Sequence, residues 1–251
     1  MDVTERDHVR YNRAFWDGDS DAYQDAHGDA LDHAPLAWGA YRIPESELQI
    51  LGDVGGRDIL ELGCGAAQWS IALARLGARI VGLDLSQRQL EHARQRDARV
   101  PLVNANGEQL PFTSNSFDIV FCDHGAMSFC EPTTILAEVA RVLRPAGTLA
   151  FCGTHPLLYL TYDLEKKGQT KKLRMDYGAL GKMDLDDGTI DWALPPSEWI
   201  TLLRSAGFGV ERLVELRPLP STATTYEDFA PPKWAQRWPA EWIWMASRET
   251  S

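Results

Sequence analysis

The sequence predicts an α/β fold built on a doubly wound, mostly parallel sheet. Three observations carry this. A strand–glycine turn–helix–strand unit lies between Asp58 and Leu85, a carboxylate ends its second strand, and further apolar runs alternate with helical segments to Cys152. Within the unit, Ile59, Leu60 and Leu62 suit a strand buried on both faces. Gly63 and Gly65 break the run, and a residue without Cβ lets the chain turn sharply and a ligand approach closely. Trp69 to Leu76 is helical in composition and spacing, and Gly77 ends it. Ala78 to Leu83 is a second strand, and Asp84 follows it, 21 residues after Gly63. A carboxylate there accepts hydrogen bonds from both hydroxyls of a ribose. The unit therefore reads as a nucleoside site at the carboxyl end of a parallel sheet.

The dinucleotide fingerprint G-x-G-x-x-G would place its third glycine at position 68, which is Gln68. That glycine serves close helix–strand packing over a pyrophosphate, so its absence speaks against NAD. Glu61 stands two residues before Gly63, giving acidic-x-G-x-G, with Ala67 at the next glycine position. The stretch resembles the class I S-adenosylmethionine-dependent methyltransferases, whose pattern is acidic-x-G-x-G-x-G with an acidic residue ending the second strand. The competing reading is an ordinary strand–turn–helix with glycines used only for the turn.

The segment Thr4 to Leu51 is expected to be helical in pieces. Tyr11, Phe15 and Trp16 fall on one helix face, and Asp17 to Asp32 is rich in Asp and small residues around Tyr23 and His27. The resemblance implies that residues 1–51 form a helical cap over the methyl donor, with Tyr11, Trp16 and Tyr23 as lid aromatics. Core packing is the competing and better reading for Phe15 and Trp16. His33 and Trp38 are further candidates for the acceptor pocket. Pro44 opens a helix with Glu45 and Glu47 in its first turn, and Gly52 ends it.

Ser86 caps a helix from Gln87 to Asp97. The resemblance puts Leu85 and Gln89 beneath adenine and ribose. Val100 to Val103 is a third strand, and Ala105 to Phe112 resembles the family's G-D-A-E-x-L-P-F. Asn106 then matches the position facing the adenine amine, and the Gly107 amide the one facing a ring nitrogen. An amide oxygen still accepts from an amine. Asn115 to Asp118 turns into a fourth strand, Ile119 to Cys122, with Asp123-His124-Gly125-Ala126 at its tip. Cys122 and Asp123 are included with the donor site. The tip lacks the N-P-P-Y pattern of amine-directed nucleic-acid methyltransferases. His124 is the first candidate for a general base, because a neutral imidazole of pKa ~6.5 can take a proton near neutrality. A hydrogen-bonded structural histidine is the competing reading.

Thr133 to Leu143 is a helix, Arg144 to Gly147 resembles the family's L-R-P-G-G turn, and Thr148 to Cys152 is a fifth strand. His155, just beyond, is the second base candidate. Residues 156–194 lose the α/β rhythm. Asp187-Gly188 marks a tight hairpin between Met183–Leu185 and Thr189–Trp192. The resemblance makes this an acceptor-pocket insertion, with Tyr159, Tyr162, Tyr177 and Trp192 as its aromatic material. A helix from Pro196 to Arg204, a sixth strand from Val210 to Leu216 and a seventh from Trp242 to Met245 complete the chain. The family's sheet ends in an antiparallel strand, so residues 52–251 are expected to hold seven strands of that plan.

Composition bounds the rest. The chain has 251 residues, 44% hydrophobic and 24% charged, which suits one large α/β domain. No run is long and apolar enough to span a bilayer, no apolar signal core opens the chain, and a cytoplasmic protein without a membrane partner is expected. Cys64, Cys122, Cys130 and Cys152 form no C-x-x-C pair and read as reduced, buried thiols. A net charge of −11 argues against nucleic acid. The one basic cluster, Lys166, Lys167, Lys171, Lys172 and Arg174, reads as a solvated loop. No metal-ligand spacing is present. A homodimer is compatible with all of this.

The expected function is methyl transfer from S-adenosylmethionine to a small-molecule acceptor at oxygen, nitrogen or carbon, with S-adenosylhomocysteine as product. Two other classes stay open: a nicotinamide-dependent oxidoreductase, and a non-catalytic nucleoside-binding protein.

Overall fold

A computed structural model describes residues 7–219, 222–226 and 229–250. Seven strands form one sheet: β1 (Asp58–Leu62), β2 (Arg79–Asp84), β3 (Leu102–Asn104), β4 (Phe117–Asp123), β5 (Leu143–Thr154), β6 (Phe208–Leu216) and β7 (Glu241–Arg248). Their spatial order is 6-7-5-4-1-2-3. The first five pair in parallel, with Ile59 opposite both Ile80 and Ile119. β7 runs antiparallel to both neighbours, Trp244 facing Phe151 and Leu213. This is the doubly wound sheet with an antiparallel last strand that the sequence led us to expect.

Five helices of eight or more residues are described: α1 (Asp7–His33), α2 (Gln68–Arg75), α3 (Gln87–Arg96), α4 (Pro132–Val142) and α5 (Pro196–Ser205). Successive side chains of a strand point to opposite faces, and β1 shows it. Leu60 and Leu62 pack with Ile135 and Val139 of α4 and Trp199 of α5, whereas Ile59 packs with Trp69 and Leu73 of α2 on the other side. Covered faces on both sides explain why β1 and β4 read as continuous apolar runs. The caps follow local chemistry. Ser86 Oγ accepts from the Gln89 amide at 3.1 Å, and Glu131 accepts from the Thr133 and Thr134 amides ahead of α4.

Helix α1 is continuous over 27 residues, and with the one-turn helix Glu45–Leu48 it makes the N-terminal segment helical in pieces; Thr4 to Arg6 lie outside the described residues. Its buried face is mostly polar: His8, Asn12, Ser20, Gln24 and Gly28, with Val9. The acid-rich stretch finds cations on α3. Asp21 pairs with Arg88 at 2.8 Å and His92 at 2.7 Å, and Asp32 with Arg96 at 3.0 Å. Gly28 does not break the helix; a Cβ there would come within 3.0 Å of the Arg96 guanidinium. The helix expected after Pro44 is one turn, Glu45–Leu48, closed by Gln49 at φ 50° and not by Gly52. β5 is longer than expected because the Arg144–Gly147 turn is an excursion within it. Leu143 pairs Phe117, Thr148 pairs Ile119, and Ala146 sits at φ 60° between. The hairpin through Asp187-Gly188 forms from residues 182–184 and 190–192.

The tips of β1 and β4 meet at two glycines. A Cβ built on Gly63, whose φ is +74°, would lie 2.6 Å from the Ala126 nitrogen and the Gly125 Cα. A Cβ built on Gly125 would lie 2.6 Å from the Leu62 carbonyl oxygen. The obstacles are main chain, so no rotamer relieves them. Gly63→Ala is therefore expected to lower stability by about 1–3 kcal/mol, read as a lower urea midpoint at unchanged m-value. An unchanged midpoint would contradict the close contact.

Candidate active site

A cavity of about 1090 Å³ lies between the carboxyl ends of the parallel strands and α1. In open α/β sheets this crevice, where strand order reverses beside β1, is where ligands bind. One wall is built by Glu61, Gly63, Gly65 and Gln68 after β1, Asp84 and Leu85 after β2, Asn106 and Gly107 after β3, and Asp123 and His124 after β4, with Gln89 from α3. The opposite wall is α1, through Asn12, Phe15, Trp16, Tyr23, Gln24 and His27. Residues 39–42, 185–191 and 224–229 contribute the sides.

Asp84 is buried, and each of its oxygens takes one main-chain amide: Gly65 N at 2.7 Å and Ser86 N at 2.8 Å. An ionised carboxylate offers about four acceptor sites, so two are free for hydroxyls in the cavity. Burial pushes the Asp84 pKa up to about 6. Glu61 is deeper. Burial pushes it up to about 8, although the Ser70 hydroxyl donates to it. At neutral pH Glu61 is thus mostly protonated, with Asp84 close to its titration. Gln89 hydrogen-bonds as well as packs, because Gln24 of α1 donates to its Oε1 at 2.9 Å. Gln24 in turn accepts from Gln68 at 3.4 Å and Arg96 at 3.0 Å. Asn106 folds its carbonyl back onto the Glu108 amide at 3.0 Å. Ala67, at the third-glycine position, adopts φ 60°, a left-handed conformation more costly for alanine than for glycine.

His124 sits at φ 53° and lines the cavity. Its Nε2 meets Oε1 of Glu241 at 2.6 Å. Glu241 is fully buried at the start of β7, also accepts from the Ala40 amide at 2.7 Å, and keeps Oε2 without a partner. Burial opposes charge on the imidazole, but the Glu241 carboxylate, reinforced by Asp123 and Asp191, outweighs it and raises the His124 pKa above its ordinary value. Asp123 accepts from the Gly39 amide at 3.0 Å and Trp69 Nε1 at 3.3 Å. Asp123, His124 and Cys152 bring three potential ligand atoms within 4.8 Å of one another. Asp123 and His124 are engaged as described, and burial raises the Cys152 thiol well above its ordinary pKa.

Three site expectations are corrected. Tyr11 is 48% exposed and lies against Arg10 on the solvent side of α1, away from the cavity. Cys122 is fully buried below the tip of β4, where its sulfur accepts from the Gly125 and Met127 amides. His155 caps the short helix Pro156–Thr161 through Nδ1 and faces Glu215 through Nε2 at 3.4 Å, outside the cavity. That is a structural histidine, and the base role expected for it falls. His33 is exposed, and Trp38 packs against Trp69 and Phe121, so neither reaches the pocket. Phe15 and Trp16, expected as core, instead line the cavity, and Trp16 Nε1 is buried there without a partner. The residues that sequence reasoning missed are Gln24, Glu241 and Tyr226, whose hydroxyl meets that of Tyr23, an expected lid aromatic, at 2.7 Å. Glu241 lies 117 residues from His124, and no local pattern announces it.

A family model described as methyltransferase domain matches residues 60–151. A demethylmenaquinone methyltransferase of Clavibacter sepedonicus is 36% identical over 165 residues, covering 62% of this chain and 66% of the relative. The chain spans between 42% and 66% of the length of the first three curated relatives it matches. An S-adenosylmethionine dependent methyltransferase structure from Mesorhizobium loti has a TM-score of 0.66 at 23% identity, covering 81% of this chain and 96% of the other. The 1,6-didemethyltoxoflavin-N1-methyltransferase of Burkholderia thailandensis, bound to 1,6-didemethyltoxoflavin and S-adenosylhomocysteine, has a TM-score of 0.59 at 16% identity, covering 100% and 94%. The two structures share the fold.

The buried acids make stability pH-dependent. Because the folded pKa of Glu61 is raised to about 8 and that of Asp84 to about 6, the folded state holds protons that the unfolded state has released. Stability of the ligand-free protein therefore falls as pH rises from about 4.5 to about 8. Glu61→Gln is expected to flatten the upper part of that slope and to melt higher than the parent at pH 8, with the difference vanishing near pH 4.5. Parallel melting curves at both pH values would show that Glu61 is not held neutral.

Proposed function

We propose that this chain, which belongs to the class I S-adenosylmethionine-dependent methyltransferases, transfers a methyl group from S-adenosylmethionine to a small-molecule acceptor. The observation that carries the reading is the convergence of Gly63, Gly65, Asp84 and Asn106 on the cavity that also holds the His124–Glu241 pair. The relatives named above are methyltransferases of demethylmenaquinone and 1,6-didemethyltoxoflavin, which supports a small acceptor without choosing one.

The donor set suits an adenosyl sulfonium. Asp84 keeps acceptor capacity for ribose hydroxyls, and we assign Asn106 and the Gly107 amide, which line the same cavity, to the adenine edge. Leu85 and Gln89 border the same end. Asp123 supplies an acceptor for an ammonium or negative field for a sulfonium, and Glu61 joins it when the bound cation displaces its proton. When bound, the donor supplies a methyl carbon already activated by its positively charged sulfur. The protein's task is then alignment and exclusion of water, and alignment alone is worth up to ~7–11 kcal/mol in favourable cases. His124 in its neutral form takes the acceptor's proton, and Glu241 orients the ring and stabilises the imidazolium that results. Residues 156–194 contribute the acceptor side through Tyr159, whose hydroxyl donates to Asp191.

Titration calorimetry of the purified chain with S-adenosylhomocysteine and with NAD, each alone, tests the class. Saturable heat with the first and none with the second is expected; the reverse would make it a nicotinamide enzyme. Ribose hydroxyls donate to ionised Asp84, so affinity for S-adenosylhomocysteine should tighten as pH rises through about 6 and then level off. Asp84→Ala should abolish binding at every pH. On any acceptor that a metabolite panel yields, His124→Ala should cost ~10²–10⁴-fold in rate. It should also remove a rise in rate with pH whose midpoint lies above the ordinary histidine value. Tight binding without turnover of any acceptor would favour a non-catalytic nucleoside-binding protein.

A further inference from the structure

The methyl-transfer reading leaves the basic cluster unused, and its surroundings give it a meaning that a solvated loop lacks. Residues 162–163 and 168–169 form a two-stranded ribbon, from which the chain returns alongside the end of the helix Pro156–Thr161. The Thr170 amide donates to Thr161 O at 2.9 Å and the Arg174 amide to Leu160 O at 2.7 Å. Lys166, Lys167, Lys171 and Lys172 are all exposed, and among the described residues none forms an ion pair. Of the acids in the same stretch, Asp163 is taken by Arg174 at 2.5 Å, which leaves Glu165. Leu164 precedes these lysines in sequence and Leu173 follows them, and both are among the most exposed large apolar side chains described, at 73% and 66%.

The patch continues across the C-terminal connector. Trp234 Nε1 donates to Thr170 O at 3.0 Å, and the one-turn helix Pro232–Ala235 carries Lys233, with Arg237 just after it. Gln236 in turn reaches the carbonyl of Leu219, which is 64% exposed. Trp234 belongs to an apolar cluster against which Leu158 and Phe229 pack, and these two also line the cavity. The basic, leucine-bearing surface and the cavity therefore share a wall.

Exposed leucines are costly in water, and four unpaired lysines on a chain of net charge −11 concentrate positive field where the rest of the molecule repels anions. We infer that the surface formed by residues 162–174 and the connector around Trp234 docks on an anionic lipid bilayer, with Leu164 and Leu173 entering the headgroup layer and the lysines facing the lipid charges. A combination of basic and apolar side chains is what interfacial binding requires. A folded polyanion such as RNA would use the lysines but gain nothing from the leucines. This inference does not depend on the methyl-transfer reading.

Co-sedimentation of the full chain with large vesicles tests it. Vesicles of equal phosphatidylcholine and phosphatidylglycerol should pellet the protein, and vesicles of phosphatidylcholine alone should not. Raising the salt should release the protein, as screening requires. Each lysine lost should weaken partitioning about fivefold, so the combined variant Lys166→Glu, Lys167→Glu, Lys171→Glu, Lys172→Glu should stay in the supernatant. Leu164→Ser with Leu173→Ser should weaken binding even at low salt while leaving binding of S-adenosylhomocysteine unchanged, since neither residue lines the cavity. Absence of pelleting on the anionic vesicles overturns the inference. So does equal pelleting of the four-lysine variant, or binding to single-stranded RNA without binding to vesicles.

Discussion

The close approach of Gly63 to Gly125 is the constraint from which the site follows. The chain leaves β1 and β4 in opposite directions, and the crevice opens where they part. Only main chain against main chain lets the two tips approach as they do, with room for a Cβ on neither side. That contact fixes where Gly65 presents its amide to Asp84, and it sets His124 one residue beyond Asp123 in a left-handed turn. A non-glycine residue at φ 53° carries strain, which the surrounding bonds hold in place. The His124 amide donates to Cys152 O at 3.2 Å, and its ring is held by Glu241.

A second consequence is electrostatic. Glu61, Asp84, Asp123 and Asp191 all face one cavity, and burial raises the pKa of Glu61, Asp84 and Asp191. Charge removed from water must be compensated or neutralised. The protein neutralises part of it by holding protons. A cation entering the cavity offers the other compensation and, by linkage, would release those protons. The same field acts in the opposite sense on His124, which it makes more basic.

The parts legible in the sequence are those whose physics is local. A buried strand, a glycine turn and a helix end are each decided within a few residues, so Asp58 to Asp84 and the Ser86 cap could be read directly. The hairpin at Asp187-Gly188 was legible for the same reason. Helix α1 was harder because its buried face is polar, with Asn12 bonded to Phe129 O and to both main-chain groups of Ile190. An apolar periodicity does not record such a face. Tyr11 and Trp16 look alike in sequence, yet one faces solvent and the other the cavity, and only the packing of α1 on α3 separates them. His124 and His155 both follow strand ends. What distinguishes them is that the chain after His155 starts a helix and uses the ring as its cap.

Glu241 ties the two halves of the site together. Its Oε1 receives the His124 ring and the Ala40 amide, and no Cβ fits on Gly39 because the same carboxylate fills that space. The neighbouring Gly39 amide reaches back to Asp123. Residues 39 and 40 are thus bonded to the acid beside the imidazole and to the acid behind it. Any opening of that loop removes one hydrogen bond from each carboxylate together, and so alters both the charge and the orientation of His124. Helix α1, for its part, is fastened to α3 by Asp21 and Asp32 and to the cavity wall by Gln24. Bonds of this kind are exchanged for water at small net cost, unlike the apolar contacts that fix α2, α4 and α5 to the sheet. The α1 wall of the cavity is thus held largely by polar bonds, whereas the wall that carries Glu61, Gly63, Gly65 and Asp84 is anchored in the apolar core.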